Sequence, residues 1–88
     1  MRIDIRGKRW SLVFRRIRAT KDGPILGLCD NADRIITIHK PLEGQELLNT
    51  LVHELTHACL PDTAEDSVDD TAESIAAALW QLGYRRTK

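Results

Sequence analysis

The segment 43–60 constrains the fold more than any other part of the chain. Its apolar residues recur at helical spacing and form a stripe with a second row beside it: Leu47, Leu51, Leu55, Ala58, then Leu48, Val52 and Cys59. So much apolar surface predicts a helix that is largely buried. Pro61 ends the helix, because proline lacks the N–H group that the next turn needs. Because this helix must be covered, the rest of the chain has to supply the layers around it.

Short segments rich in β-branched and aromatic residues precede this helix. We read residues 3–5, 9–17, 26–30 and 34–39 as strands, and residues 26–30 as an edge strand. The short turn Asn31-Ala32-Asp33 predicts that the last two form an antiparallel hairpin. The expectation is a small antiparallel β-sheet of about three strands.

A second helix is expected after Pro61. Its inward stripe is predicted to be Val68, Ala72, Ile75 and Leu79. Asp62 or Thr63 would cap its start, with Glu65 or Asp66 completing a capping box, and Gly83 would cap its end. The length fits one domain over residues 1–88. The predicted fold class is therefore α+β, with the sheet followed by two packed helices.

The first helix carries the sequence His53-Glu54-Leu55-Thr56-His57. Residues four apart lie one turn apart on the same face of a helix, so both imidazoles can reach one zinc ion. Glu54 follows the first histidine directly, where its carboxylate can reach a water on the metal and take its proton. The spacing therefore predicts one zinc ion per chain, held by His53 and His57, with Glu54 as the general base of a hydrolase.

Catalytic zinc needs a third protein ligand, and the start of the second helix is the natural source. At about 100° per residue, Glu65 lies nearest the inward face, Asp69 at its edge and Glu73 further round. We predict Glu65 as the third ligand, with Asp69 second and Glu73 third. Other residues are weaker alternatives: Asp66 and Asp70 point mostly to solvent, Asp62 belongs to the loop, and His39 is a remote candidate.

The charges are unevenly placed although the formal net charge is +0. Residues 2–21 contain eight Lys or Arg and one acid, whereas residues 43–73 contain nine acids and no Lys or Arg.

Cys29 and Cys59 are expected to be free thiols. No apolar run approaches the length of a membrane span and the first residues are too polar for a signal peptide, so we expect a cytoplasmic protein without a membrane partner.

The motif helix resembles the active-site helix of the zincin metallopeptidases, and is similar to gluzincins, in which a Glu on a following helix is the third ligand. The wider pattern resembles the minimal zincin-like proteins of phages and bacterial mobile elements. It covers Gly27-x-Cys29-Asp30, Arg34-x-Ile36-x-Ile38, Leu47-Leu48-x-Thr50-Leu51 and Leu79-Trp80-Gln81-Leu82-Gly83-Tyr84. The resemblance implies a zinc metallopeptidase acting on a protein or peptide, with segment 34–39 bordering the cleft and able to pair with an extended substrate.

The chain departs from the larger zincin groups at several positions. Leu60 and Thr63 stand where metzincins have a glycine and their third ligand, and no Asn-Glu-Ala segment of gluzincins is present. Glu65 is thus assigned on geometry rather than on a matched motif. Two alternatives stay open: a non-catalytic zincin-like module that binds a protein, and a protease associated with DNA, which the basic segment 2–21 favours.

Overall fold

The computed structural model describes residues 1–87. Four strands come first in the chain and two helices follow, which confirms the predicted α+β layout. The strands are β1 (Arg2–Ile5), β2 (Lys8–Arg15), β3 (Gly27–Asp30) and β4 (Ile35–His39), and the helices are α1 (Gly44–Cys59) and α2 (Glu65–Gln81).

The sheet is mixed rather than wholly antiparallel, and its strand order is β1-β2-β4-β3. The outer pairs, β1 with β2 and β3 with β4, are antiparallel as expected for short connections. The central pair, β2 with β4, is parallel, with Ser11 opposite Ile35 and Arg15 opposite His39. β4 is therefore an inner strand bonded on both sides, and β3 is the edge strand beside it. Strand β2 also ends before the predicted limit at Ile17.

The core lies between one face of the sheet and α1. Trp10 and Leu12 of β2 and Ile36 and Ile38 of β4 are buried in it, as is Leu47 of α1. The alternation along β2 and β4 puts these side chains on one face, as a period of two residues requires. α1 contacts β3 and β4, whereas α2 packs on α1. The arrangement places the helix with the histidines between the sheet and the second helix.

The inward stripe of α2 differs from the expected one. Val68, Ala72 and Ala76 are buried, whereas Ile75 is 43% exposed. The helix begins one or two residues later than a cap at Thr63 or Asp62 would place it: its N-cap is Ala64, with no side-chain cap hydrogen bond among the described residues. The predicted capping box is therefore wrong. The predicted end is confirmed, because Gly83 follows α2 with a φ of 92° and its N–H donates to the Trp80 carbonyl oxygen.

Within residues 1–87, neither helix is long and apolar enough to cross a membrane.

Candidate metal centre

The two histidines of α1 converge at their outer ring nitrogens. His53 Nε2 and His57 Nε2 lie 3.2 Å apart, and both side chains are about one-fifth exposed, at 21% and 23%. Four residues of helix place the rings one above the other, and both lean toward α2. The pair therefore sits at the boundary between the protein and solvent, where one side of the two nitrogens remains accessible.

Glu65, the first residue of α2, completes a group of three possible ligands. One carboxylate oxygen, Oε1, lies 2.9 Å from His53 Nε2, and the other, Oε2, lies 3.0 Å from His57 Nε2. The three residues offer ligand atoms that all lie within 4.8 Å of one another, so they could hold a metal ion. Helix geometry predicted Glu65 ahead of Asp69 and Glu73, and neither of these belongs to the group that the described residues form.

Asp69 contacts the other nitrogen of the His53 ring. Its Oδ1 atom lies 3.1 Å from His53 Nδ1, one turn of α2 after Glu65. A carboxylate at this position accepts a hydrogen bond from the Nδ1–H group, which keeps the proton on Nδ1 and leaves the Nε2 lone pair free to bind a metal. Asp69, the second candidate for the third ligand, therefore lies against Nδ1 of His53 and outside the group of three possible ligands.

The short distances between the Nε2 atoms and the Glu65 carboxylate are compatible with a shared proton or with a cation between the three groups. Suppose that the proton of the His53 ring is on Nδ1 and is donated to Asp69. The lone pair of Nε2 then faces a Glu65 oxygen only 2.9 Å away. Two lone pairs at this distance repel each other, unless a second proton or a metal ion lies between them. A divalent metal ion replaces the proton and turns the repulsion into attraction, so ligand groups of this kind release protons when they bind metal.

Glu54 lies on the same helix and packs against strand β3, and only 7% of its surface is exposed. Its neighbour is β3: a Cβ atom built on Gly27 would lie 2.8 Å from Glu54 Cγ and 2.8 Å from Oε2. No hydrogen bond or ion pair to its carboxylate occurs within residues 1–87. Burial raises the pKa of the Glu54 carboxyl; His53 and His57 oppose this effect, and Glu65 adds to it.

Gly27 is the residue of this region whose role sequence reasoning missed. Its lack of a side chain lets the edge strand approach α1 closely enough to cover Glu54, and Thr50 Cγ2 would also lie 3.0 Å from a Cβ there. The available signal was a glycine inside a short strand, which often marks a close backbone approach.

His39, the remote candidate, lies outside the cluster that the described residues form. It ends β4, and its Nδ1 atom accepts a hydrogen bond of 2.9 Å from the Ile17 N–H, so its role is to hold the chain after β2. The loop and solvent-facing acids, Asp62, Asp66 and Asp70, are exposed and also lie outside the cluster.

Comparisons of the chain with models of known protein families, with curated proteins and with solved structures found no match. The geometry of the side chains alone carries the functional assignment.

Proposed function

We propose that the chain is a zinc-dependent hydrolase of peptide bonds. One observation carries the proposal: two imidazole nitrogens and a carboxylate meet within 3.2 Å of one another, beside a buried carboxylate that the same helix supplies. A structural metal site has no need of such a carboxylate, whereas hydrolysis of an amide needs a group that can move a proton.

The residues at the site suit zinc. Two imidazoles and one carboxylate form a three-ligand set of the kind found in catalytic zinc sites, and the exposed side of the cluster leaves a fourth position for water or substrate. When bound there, zinc would act as a Lewis acid and lower the pKa of a water molecule in the fourth position. The metal ligands would be His53, His57 and Glu65, with Asp69 fixing the His53 ring.

Glu54 would act as the general base. Its carboxylate takes a proton from the attacking water and later gives it to the nitrogen of the leaving amine. A base for this purpose works best when its pKa lies nearer to neutral pH, and burial shifts the pKa of Glu54 in this direction. Because no described residue binds the carboxylate, it is free to accept the proton.

An extended substrate would pair with β3 rather than with the predicted segment 34–39. Both sides of β4 are already bonded, to β2 and to β3, so its backbone groups are used. The outer side of β3 faces no other strand of the described sheet, and Gly27 of this strand touches Glu54. Backbone pairing along β3 would bring a peptide bond past the proposed base.

The experiment that tests the proposal measures zinc per chain by elemental analysis, in the wild type and in His57→Ala, Glu65→Ala and Glu73→Ala. We expect one zinc ion in the wild type and in Glu73→Ala, and none or little in the other two. Glu73 is the matched control, because it is an exposed acid on the same helix outside the cluster. A wild type without zinc, after zinc is supplied, would refute the metal site.

Hydrolysis is tested separately with a fluorescently labelled denatured protein as substrate. Glu54→Gln should keep its zinc and lose at least about 100-fold in rate, since general base catalysis is worth roughly that much. Unchanged hydrolysis in a zinc-loaded Glu54→Gln variant would remove Glu54 from the mechanism. Zinc binding with no hydrolysis of any substrate would favour the alternative, a zincin-like module that binds a protein partner.

The free cysteines Cys29 and Cys59 favour a reducing compartment such as the cytoplasm.

A further inference from the structure

A second feature of the molecule lies at the end of the sheet where β2 and β4 both finish. Because these strands are parallel, their C-terminal ends lie side by side, with Arg15 opposite His39. The Lys40 N–H donates to the Arg15 carbonyl oxygen at 3.0 Å. The parallel pairing therefore brings the backbone of Arg15 next to Lys40, whereas the Arg15 side chain lines a separate cavity with Val13 and Thr37.

The segment after α2 returns to the same end and adds two more cations. The Arg86 guanidinium lies 4.1 Å from the centre of the Phe14 ring, and the Arg85 guanidinium lies 3.3 Å from the centre of the Trp80 ring. Arg85 Nη1 also donates to the carbonyl oxygens of Trp80 and Tyr84, at 3.0 and 2.9 Å. Stacking and hydrogen bonds hold these guanidinium groups in place before any ligand arrives.

Lys40, Arg85 and Arg86 line a groove of about 650 Å³, called here the basic groove. Its walls include Lys40, Arg85 and Arg86 together with the rings of Phe14 and Trp80, and its one acidic lining residue is Glu43. α1 starts in the same wall at Gly44, and its first-turn N–H groups add partial positive charge. Positive charge and aromatic rings thus meet in one concave surface.

We propose that the basic groove binds the phosphate backbone and bases of single-stranded nucleic acid. Guanidinium groups bind phosphate oxygens with two N–H bonds, and bases stack on aromatic rings and on guanidinium planes. Tyr84, which is 63% exposed and lines a neighbouring cavity with Trp80, Arg85 and Arg86, offers a further ring beside the groove.

The shape of the charged surface favours a polymer over a small anion. Arg16, Arg18 and Lys21 are exposed on the loop that leads away from the end of β2, so positive charge continues beyond the groove. The acids at the start of α2, Glu65, Asp66, Asp69 and Asp70, repel phosphate from the metal side and so orient the polymer. At 1.5 Å per residue, His53 lies about 14 Å along α1 from Gly44. The groove is therefore separate from the metal centre, and its ligand does not depend on hydrolysis.

The test is the fluorescence anisotropy of a labelled oligothymidylate of about 12 nucleotides, a length within the range that small single-strand binders cover. The full chain is titrated at several salt concentrations. With about four phosphate contacts, affinity should fall roughly 50-fold between 50 and 200 mM salt. Lys40→Gln and Arg86→Gln should each weaken binding at 50 mM salt by about five- to tenfold.

Lys8→Gln is the matched control, because Lys8 is an exposed lysine at the opposite end of β2. It removes the same charge and should leave the affinity within about twofold, and circular dichroism checks that each variant is folded. The proposal is overturned if the oligonucleotide does not bind at 20 mM salt, or if Lys8→Gln weakens binding as much as Lys40→Gln does. Equal or tighter binding of polyglutamate or of a DNA duplex would also overturn it.

Discussion

Replacing Gly27 with alanine is expected to displace the Glu54 carboxylate while leaving the metal ligands in place. The new Cβ atom would lie 2.8 Å from both Glu54 Cγ and Oε2 and 3.0 Å from Thr50 Cγ2. Contacts this short are not tolerated, so either the side chain of Glu54 or strand β3 has to move. The three atoms nearest to the new Cβ belong to Glu54 and Thr50 and not to the proposed metal ligands, so zinc content should be unchanged.

The size of the effect on stability follows from two opposing contributions. The φ of Gly27 is not positive, so alanine itself fits the backbone and should gain about 0.4–1 kcal/mol by restricting the unfolded chain. Overpacking in a well-filled interior costs about 1–3 kcal/mol. The net loss should be roughly 1–2 kcal/mol, which lowers the Tm by about 5–15 °C in a domain of this size.

The assay is thermal unfolding of the zinc-loaded protein, followed by circular dichroism, alongside the rate of peptide hydrolysis. A base displaced by about 1 Å can cost 100-fold in rate, so turnover should fall more steeply than stability at temperatures well below the Tm. Leu28→Ala is the control, because Leu28 lies on the same strand and is 42% exposed. It should change neither zinc content nor turnover by more than about twofold.

A double substitution distinguishes contact with Glu54 from a general weakness of β3. Glu54→Ala removes both Cγ and the carboxylate from the neighbourhood of the new methyl group, so Gly27→Ala should cost less stability in that background. Residues in direct contact show coupling of about 0.5–3 kcal/mol. An unchanged or higher Tm for the single Gly27→Ala variant would refute the close packing of Glu54 against the strand.

The remaining predictions concern the metal, the thiol and the helix interface. Asp69→Asn should weaken zinc binding by about 10- to 100-fold without abolishing it, as measured by competition with a chromogenic chelator. Zinc at 100 times its Kd should raise the Tm by about 10–20 °C, and a chelator should reverse this shift. Burial is the main cause that raises the pKa of Cys29 to about 11, so iodoacetamide at pH 9 should label it slowly: only about 1% is thiolate, against half for a thiol of pKa 9.0. Val68→Ala should cost about 2–3 kcal/mol and Ile75→Ala less than about 1 kcal/mol in urea unfolding, because Val68 is fully buried and Ile75 is not.

Sequence patterns predicted the helices and strands of this fold better than they predicted which of these elements lie next to one another. Alternation and helical spacing identify which face of a segment is apolar, and this was enough to place the strands and both helices. The same alternation is compatible with a parallel or an antiparallel partner, so the parallel pairing of β2 with β4 had no signal of its own. Helical spacing from Val68 and Ala72 predicts Ile75 in the core, whereas the small Ala76 is the buried residue. Close packing of two helices selected the smaller side chain.

The candidate site was predictable where it depends on one helix and less so where elements meet. The spacing of His53 and His57 is local, and a rotation of 100° per residue was enough to rank Glu65 first on α2. The contact of Asp69 with His53 Nδ1 depends on how the two helices cross. The cover that Gly27 provides depends on where β3 lies across α1. Neither distance between elements is encoded in the spacing of residues along one element.

The small residues of α2 connect the packing of the protein to the chemistry of the site. Ala72 and Ala76 are almost fully buried, and side chains of this size let two helices approach closely. The side chain of Glu65 has a limited reach. Its carboxylate therefore lies 2.9 and 3.0 Å from the two imidazoles only if α2 lies near α1. Larger side chains in this stripe would move α2 outward and separate the acid from the histidines. The distances between Glu65 and the two histidines are therefore set by the packing of α2 on α1 as much as by the three side chains. A metal ion bound between these residues would in turn hold α2 on α1.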